Sequence, residues 1–320
     1  MSLKRHVKKL LGSNWPILVR MKGSRPVRIL CALPGYPIRR LNYERNHPFF
    51  AISITGKMGM GAIIIQVLKL LRHADTNGLI PIIRANNSLY AEHPQENMLE
   101  KYFELSTPLP AISGKLRFVE VEYEEHYMGL NVQKEMSLEE ARSIFNRYLK
   151  FSDDIRVIVD RYIAANGGDF ALAIHYRGTD KSLEAPIVPF ECVFRVCHKI
   201  LEECSTMTVF LATDSSEFAQ AIKAAFPRIK FFSFDFTIPL NPETPRHLST
   251  LKPSENAIEA LVNIVFLSKC RFLVRTSSYL SAVSCIMNRE IKVVTLGNLD
   301  KPKLFPERQI HEAAYRLYAN

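Results

Sequence analysis

Residues 170–181 read FALAIHYRGTDK. The stretch 170–176 is apolar on both faces of an extended chain until His175, the mark of a strand covered on two sides. From Arg177 onward, Gly178, Asp180 and Lys181 form a polar run that leaves the carboxyl end of that strand. A strand ending in charges and a glycine reads as a turn that faces a ligand. Arg177 offers a planar set of donors suited to phosphate oxygens, and Asp180 and Lys181 can order the turn by pairing. A solvated charged turn has the same composition.

Downstream the pattern repeats. Apolar segments at 207–213, 229–235, 271–275 and 291–296 read as strands, and 189–204, 216–226, 255–270 and 278–288 between them as helices. Doubly apolar strands alternating with helices predict a parallel sheet covered on both faces. An amphipathic helix at about 306–319 is expected to pack back on the amino-terminal part. Upstream, His47–Thr55 reads as a strand, followed by a glycine loop at 56–61. A helix over 62–76 stops at Asn77-Gly78, and strands follow at 79–84 and 116–123. Residues 138–166 read as one helical stretch capped by Ser137 and stopped by Gly167-Gly168. The fold class expected is α/β, with two Rossmann-like domains and a cleft between them. The boundaries expected are a basic arm over 1–45, an α/β domain over 46–150 and a second, Rossmann-like α/β domain over 151–320. Ligands of such sheets bind beyond the carboxyl ends of the strands.

Charge is unevenly placed. Residues 1–45 hold 11 lysines and arginines against Glu44 alone, which accounts for the whole net charge of +10. Such an arm is either a solvated leader or a reversible contact with an anionic membrane surface. No aromatic residues interleave with basic ones as a nucleic-acid stacking platform requires, so no nucleic-acid partner is expected. No apolar run approaches the roughly 20 residues of a membrane span, and Gly12, Ser13, Asn14 and Pro16 break any signal core. The six cysteines form neither a C-x-x-C pair nor a zinc spacing. A cytoplasmic protein, peripheral to a membrane at most, is the expectation.

Further candidates lie at predicted element ends. Thr276, Ser277 and Ser278 stand between a strand and a helix, where backbone N–H groups and hydroxyls make a phosphate seat, or where one serine is only the N-cap. Asp214 and Ser215 read as caps of the next helix. Gly59 and Gly61 let the backbone approach a cleft closely, or serve packing.

HYRGTDK at 175–181 is similar to H-x-R-R-T-D-K, the first motif of a fucosyltransferase family. That family includes the eukaryotic α1,6 enzymes, the rhizobial nodulation enzymes and, more distantly, the protein O-fucosyltransferases. FLATDS at 210–215, FLSKCRFLVRTSS at 266–278 and KMGMGAIIIQVLKLL at 57–71 resemble further family segments. The matches occur in order over about residues 50–290. The resemblance implies a GT-B-like enzyme that moves fucose from GDP-fucose to a carbohydrate or lipid-linked acceptor by single displacement with inversion. It implies that Arg177 holds the β-phosphate, that His175 contacts the guanosine and that Asp235 reads the guanine N1–H and N2–H₂.

Two departures stand out. The second arginine of the family motif is Gly178 here. The acidic residue proposed as base has its nearest match in Glu184, one position closer to the motif. No D-x-D pair and no acidic cluster stands at a predicted strand end, so no metal is expected, and the resemblance implies a GDP-sugar as donor substrate with no further cofactor. Two other readings stay open: a transferase of another GDP-sugar, and a non-catalytic protein that binds a nucleotide sugar or nucleic acid.

Overall fold

The computed structural model describes residues 47–56, 58–86, 89–93, 95–105, 116–121, 136–166, 170–178, 187–204, 207–234, 252–297 and 305–313. The basic arm, Glu184, Asp235, and Asp180 and Lys181 of the first motif lie outside the described residues.

Three strands form one parallel sheet in the order β2-β1-β4, with β1 at Phe49–Ile54, β2 at Ile80–Ala85 and β4 at Val119–Val121. Helix α1, Met60–Thr76, connects β1 to β2. Its apolar run from Ile63 to Leu71 is almost wholly buried, and it ends as expected: Gly78 takes the left-handed conformation (φ +62°) and the Asn77 side chain donates to the His73 carbonyl at 2.7 Å.

Five strands form the second sheet, all parallel, in the order β10-β9-β6-β7-β8. Strand β6 is Leu172–Tyr176, β7 Thr208–Thr213, β8 Lys230–Phe232, β9 Phe272–Thr276 and β10 Lys292–Leu296. The helices between them are α5 (Phe190–Cys204), α6 (Ser216–Ala225), α7 (Pro253–Lys269) and α8 (Tyr279–Met287). Every residue of β6 and β9 is buried, because helices cover both faces. On one face Ile174, Tyr176 and Leu211 pack with α5 and α6; on the other Ala173, Phe210 and Leu273 pack with α7 and α8. The second of these clusters is continuous with α1 and the three-stranded sheet.

The single helix expected over 138–166 is two helices, α3 (Leu138–Tyr148) and α4 (Asp153–Ala165), with strand β5 (Leu149–Phe151) between them. Strand β5 pairs antiparallel with β3, Phe103–Leu105, which follows the short helix α2, Met98–Tyr102. The period changes from 3.6 to 2 at that point. Leu149 and Phe151 point inward and Lys150 outward, and the Phe151 ring lies 5.1 Å from that of Phe103. The amino end agrees with expectation, since Ser137 and Glu140 form a capping box. The last helix, α9, spans Glu307–Glu312, and Gln309 reaches the Met136 carbonyl at 2.8 Å.

Two features place the site. The chain runs from β6 outward to β7 and β8, then returns across β6 to β9, so the strand order reverses between β6 and β9. In open parallel sheets the carboxyl ends of the two strands at such a reversal are where ligands bind. The start of α1 also lies against the start of α8. A Cβ at Gly61 would fall 2.4 Å from the Leu280 nitrogen and 2.4 Å from the Tyr279 carbonyl carbon. At Gly59, with extended backbone, nothing lies within 4 Å. Gly61→Ala should therefore destabilise by about 1–3 kcal/mol as an overpacked contact, and Gly59→Ala by less than about 1 kcal/mol as a changed N-cap. Urea unfolding of the two variants checks this; equal losses would refute the packing role of Gly61.

Candidate functional site

The turn after β6 is nailed down on both sides. The Arg177 backbone N–H donates to Thr276 Oγ1 at 2.9 Å, which crosses the point where the strand order reverses. The Gly178 N–H donates to Asp214 Oδ1 at 2.9 Å, and Arg177 Nε stands 4.0 Å from Asp214 Oδ2. The Arg177 side chain remains 27% exposed, while that of Asp214 is 9% exposed. Asp214 does not cap α6 as expected. Ser215 does so alone, accepting from the Phe218 N–H at 3.1 Å.

Gly178 has a steric reason. A Cβ there would lie 2.9 Å from Tyr176 Cε1 and 3.4 Å from Ser215 Cβ. The Tyr176 ring stacks on Phe218 with centroids 4.0 Å apart, and its hydroxyl donates to the Val188 carbonyl at 2.8 Å. Any side chain at 178 therefore presses on the Tyr176 ring, which must shift to admit it.

His175 is buried in β6, level with Arg275 of β9 and Ala212 of β7. Thr276, Ser277 and Ser278 are also buried, and each hydroxyl has a partner within the protein. Thr276 accepts from Arg177, Ser277 donates to Glu307 Oε2 at 2.6 Å, and Ser278 caps α8 by accepting from Leu280 N–H at 3.4 Å. The structure brings Arg177, His175, Thr276, Ser277, Ser278 and Gly61 to one edge, and Gly59 directly precedes α1 beside them.

Two further side chains at this edge, Tyr90 and Arg275, were not apparent as members of the site from sequence. Tyr90, from the segment after β2, is 2% exposed, and its hydroxyl accepts the Met60 N–H of α1 at 2.9 Å. Burial pushes the phenol up to about 12. The Met60 bond and nearby Arg177 pull it back, and Glu259 of α7 adds to the rise. Among the described residues no acceptor takes the Tyr90 proton. An Arg at 275, within an otherwise apolar strand, was the visible signal for the second group. Its side chain is fully buried and donates to Ser281 Oγ at 2.8 Å, the Ser278 carbonyl at 2.9 Å and Glu307 Oε1 at 2.6 Å. An isolated buried charge costs several kcal/mol, so such a guanidinium demands this set of partners.

No group of three or more His, Cys, Asp and Glu among the described residues could hold a metal ion. No helix of the described residues is long and apolar enough to cross a membrane. A separate open cavity of about 610 Å³, lined in part by Asp160, Phe170, Lys269 and Asn288, lies by the amino end of the five-stranded sheet and includes none of the residues above.

No protein-family model matches this chain, and no curated protein sequence does. Solved structures do. NodZ α-1,6-fucosyltransferase soaked with GDP-fucose superposes with a TM-score of 0.50 at 16% identity, over 79% of this chain and 97% of that one. It shares their fold. Fucosyltransferase NodZ from Bradyrhizobium gives 0.51 at 17%, over 79% of this chain and 97% of that one. POFUT1 in complex with GDP gives 0.51 at 13%, over 79% and 100%. The α/β expectation, with parallel sheets, holds.

The phenols give a pH signature. Tyr90 and Tyr176 both hold their protons more tightly in the folded chain, at about 12, with burial the leading cause. The stability they contribute is complete below about pH 10, the unfolded value, and is lost as pH rises toward 12. Urea unfolding at pH 9 and pH 11 should show the parent weakened at the higher pH. Tyr90→Phe should lose about 1 kcal/mol less over that interval. An identical loss would show that Tyr90 ionises freely.

Proposed function

We propose that this chain is a glycosyltransferase that takes a GDP-activated sugar, GDP-fucose before others, and passes the sugar to a carbohydrate acceptor with inversion. The observation that carries the reading is Arg177. Its side chain is partly exposed with Asp214 beside it and its backbone is tied to Thr276, at the reversal of strand order and beside the starts of α1 and α8. Helix starts and a guanidinium are what a diphosphate needs. The structures of like fold, one soaked with GDP-fucose and one in complex with GDP, support the donor class.

In this reading the arrangement is GT-B-like, with 46–150 on the acceptor side and 151–320 on the donor side. The acceptor hydroxyl gives its proton to a base, for which Glu184 is the candidate. Its oxygen bonds to the anomeric carbon while the bond to the β-phosphate oxygen breaks, and GDP leaves with the electron pair on the opposite side. Arg177 meets the charge that builds on that phosphate. The seat at 276–278 acts through backbone N–H groups at the start of α8, because the Ser277 proton is given to Glu307. His175 faces the nucleoside and Asp235 reads guanine, accepting from N1–H and N2–H₂. Adenine offers neither donor in that place.

A second reading has one observation in its favour: with Gly178 in place of an arginine, the site has one cation fewer for the leaving group. That fits a different GDP-sugar, or binding without turnover. Donor hydrolysis with GDP-fucose and GDP-mannose separates these. Arg177→Lys keeps a charge and loses the two-pronged geometry, so single-turnover transfer should fall roughly a hundredfold, about 2.7 kcal/mol, with a smaller change in GDP affinity. The melting temperature should stay near the parent's, since a partly exposed ion pair contributes at most about 1 kcal/mol. A variant that folds normally and transfers at the parent rate would sink the assignment. Calorimetry should also find GDP bound more tightly than ADP, and Asp235→Asn should remove most of that preference.

A further inference from the structure

Glu307 opens α9, a six-residue helix that follows the last strand, yet its side chain is turned inward and only 8% exposed. Both carboxylate oxygens are engaged at the end of β9. Oε1 accepts from Arg275 Nη2 at 2.6 Å and Oε2 accepts from Ser277 Oγ at 2.6 Å. Arg275 passes the constraint on, to the Ser278 carbonyl at 2.9 Å and to Ser281 Oγ at 2.8 Å, and Ser281 Oγ donates to the same carbonyl at 3.2 Å. Ser278 is the N-cap of α8, and Tyr279 and Leu280 after it are the residues whose backbone lies against Gly61. One carboxylate therefore fixes a hydroxyl, a cap carbonyl and the first turn of α8.

A helix of six residues has little stability of its own. Its position is set by Phe305 (5% exposed), Ile310 (2% exposed) and the Gln309 bond to Met136. Those contacts hold the backbone that carries Glu307, so the carboxylate meets β9 at a fixed place. A buried ion pair is a poor device for stability alone, because apolar residues of similar volume often serve as well. What apolar residues cannot do is orient a hydroxyl and a carbonyl. We propose that Glu307 is a positioning residue of the anion seat: without touching the donor, it sets through Arg275 and Ser277 where the first turn of α8 points relative to Arg177. The proposal rests on the donor reading above.

Three proteins test it: the parent, Glu307→Gln, and the double variant Arg275→Met with Glu307→Leu. GDP affinity is read by calorimetry, folding by thermal melting, and the α8 start by backbone hydrogen exchange without ligand. Glu307→Gln should melt lower and bind GDP roughly tenfold or more weakly. The double variant removes both charges, so its melting temperature should return close to the parent's. Its GDP affinity should stay roughly tenfold down, with exchange faster at 278–283 and unchanged at 172–176. A double variant that regains affinity together with stability, or that keeps the parent's exchange at 278–283, overturns the proposal. A parent that does not bind GDP refutes the donor reading instead, and the exchange comparison then decides alone whether Glu307 sets the α8 start.

Discussion

There is no room for a methyl group between residue 61 and the backbone of Tyr279 and Leu280. Much of the site depends on that approach. It sets two helix starts side by side, and each carries part of a positive charge on its unspent N–H groups. Like ends repel, so something must hold them together. Apolar burial does the holding, since α1 and α8 share a continuous core with α3 and α7. Polar groups soften the repulsion. The Tyr90 oxygen accepts the Met60 N–H at the start of α1, and the Ser278 oxygen accepts from Leu280 at the start of α8. In the proposed reading the region that remains is the seat of the donor's diphosphate, with Arg177 at its rim.

The charged groups divide into two kinds. Arg275 and Glu307 are sealed from water and bonded to each other and to serines. Such a pair gives shape and little else. Arg177 is left partly open, with a carboxylate beside it and its backbone tied across the sheet. A ligand can reach only the second kind, because a guanidinium sealed from water is out of contact with any solute. The two arginines thus differ in depth, although Arg275 lies on β9 and Arg177 directly follows the neighbouring parallel strand β6.

Most of the fold was legible because its signals are local. Doubly apolar strands such as β6 and β9, separated by amphipathic helices, announce a covered parallel sheet, and Asn77-Gly78 announces a helix end. Strand β5 was hidden because Leu149 and Phe151 continue the apolar spacing of α3. Only pairing with β3, 46 residues away at Glu104 and Lys150, selects the extended form. The same limit governs the site. Arg177 stands in a readable motif. Asp214 looked like one of two adjacent helix caps, and only the fold turns it toward Gly178. Arg275 and Glu307 are 32 residues apart, with no pattern joining them until α9 docks. The meaning of Gly178 likewise depends on where the Tyr176 ring lies, which is decided by Phe218 of α6.

The Tyr176 hydroxyl donates to the Val188 carbonyl at 2.8 Å, 12 positions further along the chain. That bond joins the last residue of β6 to the approach to α5, while the same ring stacks on Phe218 of α6 with centroids 4.0 Å apart. Three elements are thereby pinned to one side chain, as spokes are to a hub. A disturbance in either helix is felt first at the residue that precedes Arg177, and Tyr176 is where the helical layer and the strand end keep their common alignment.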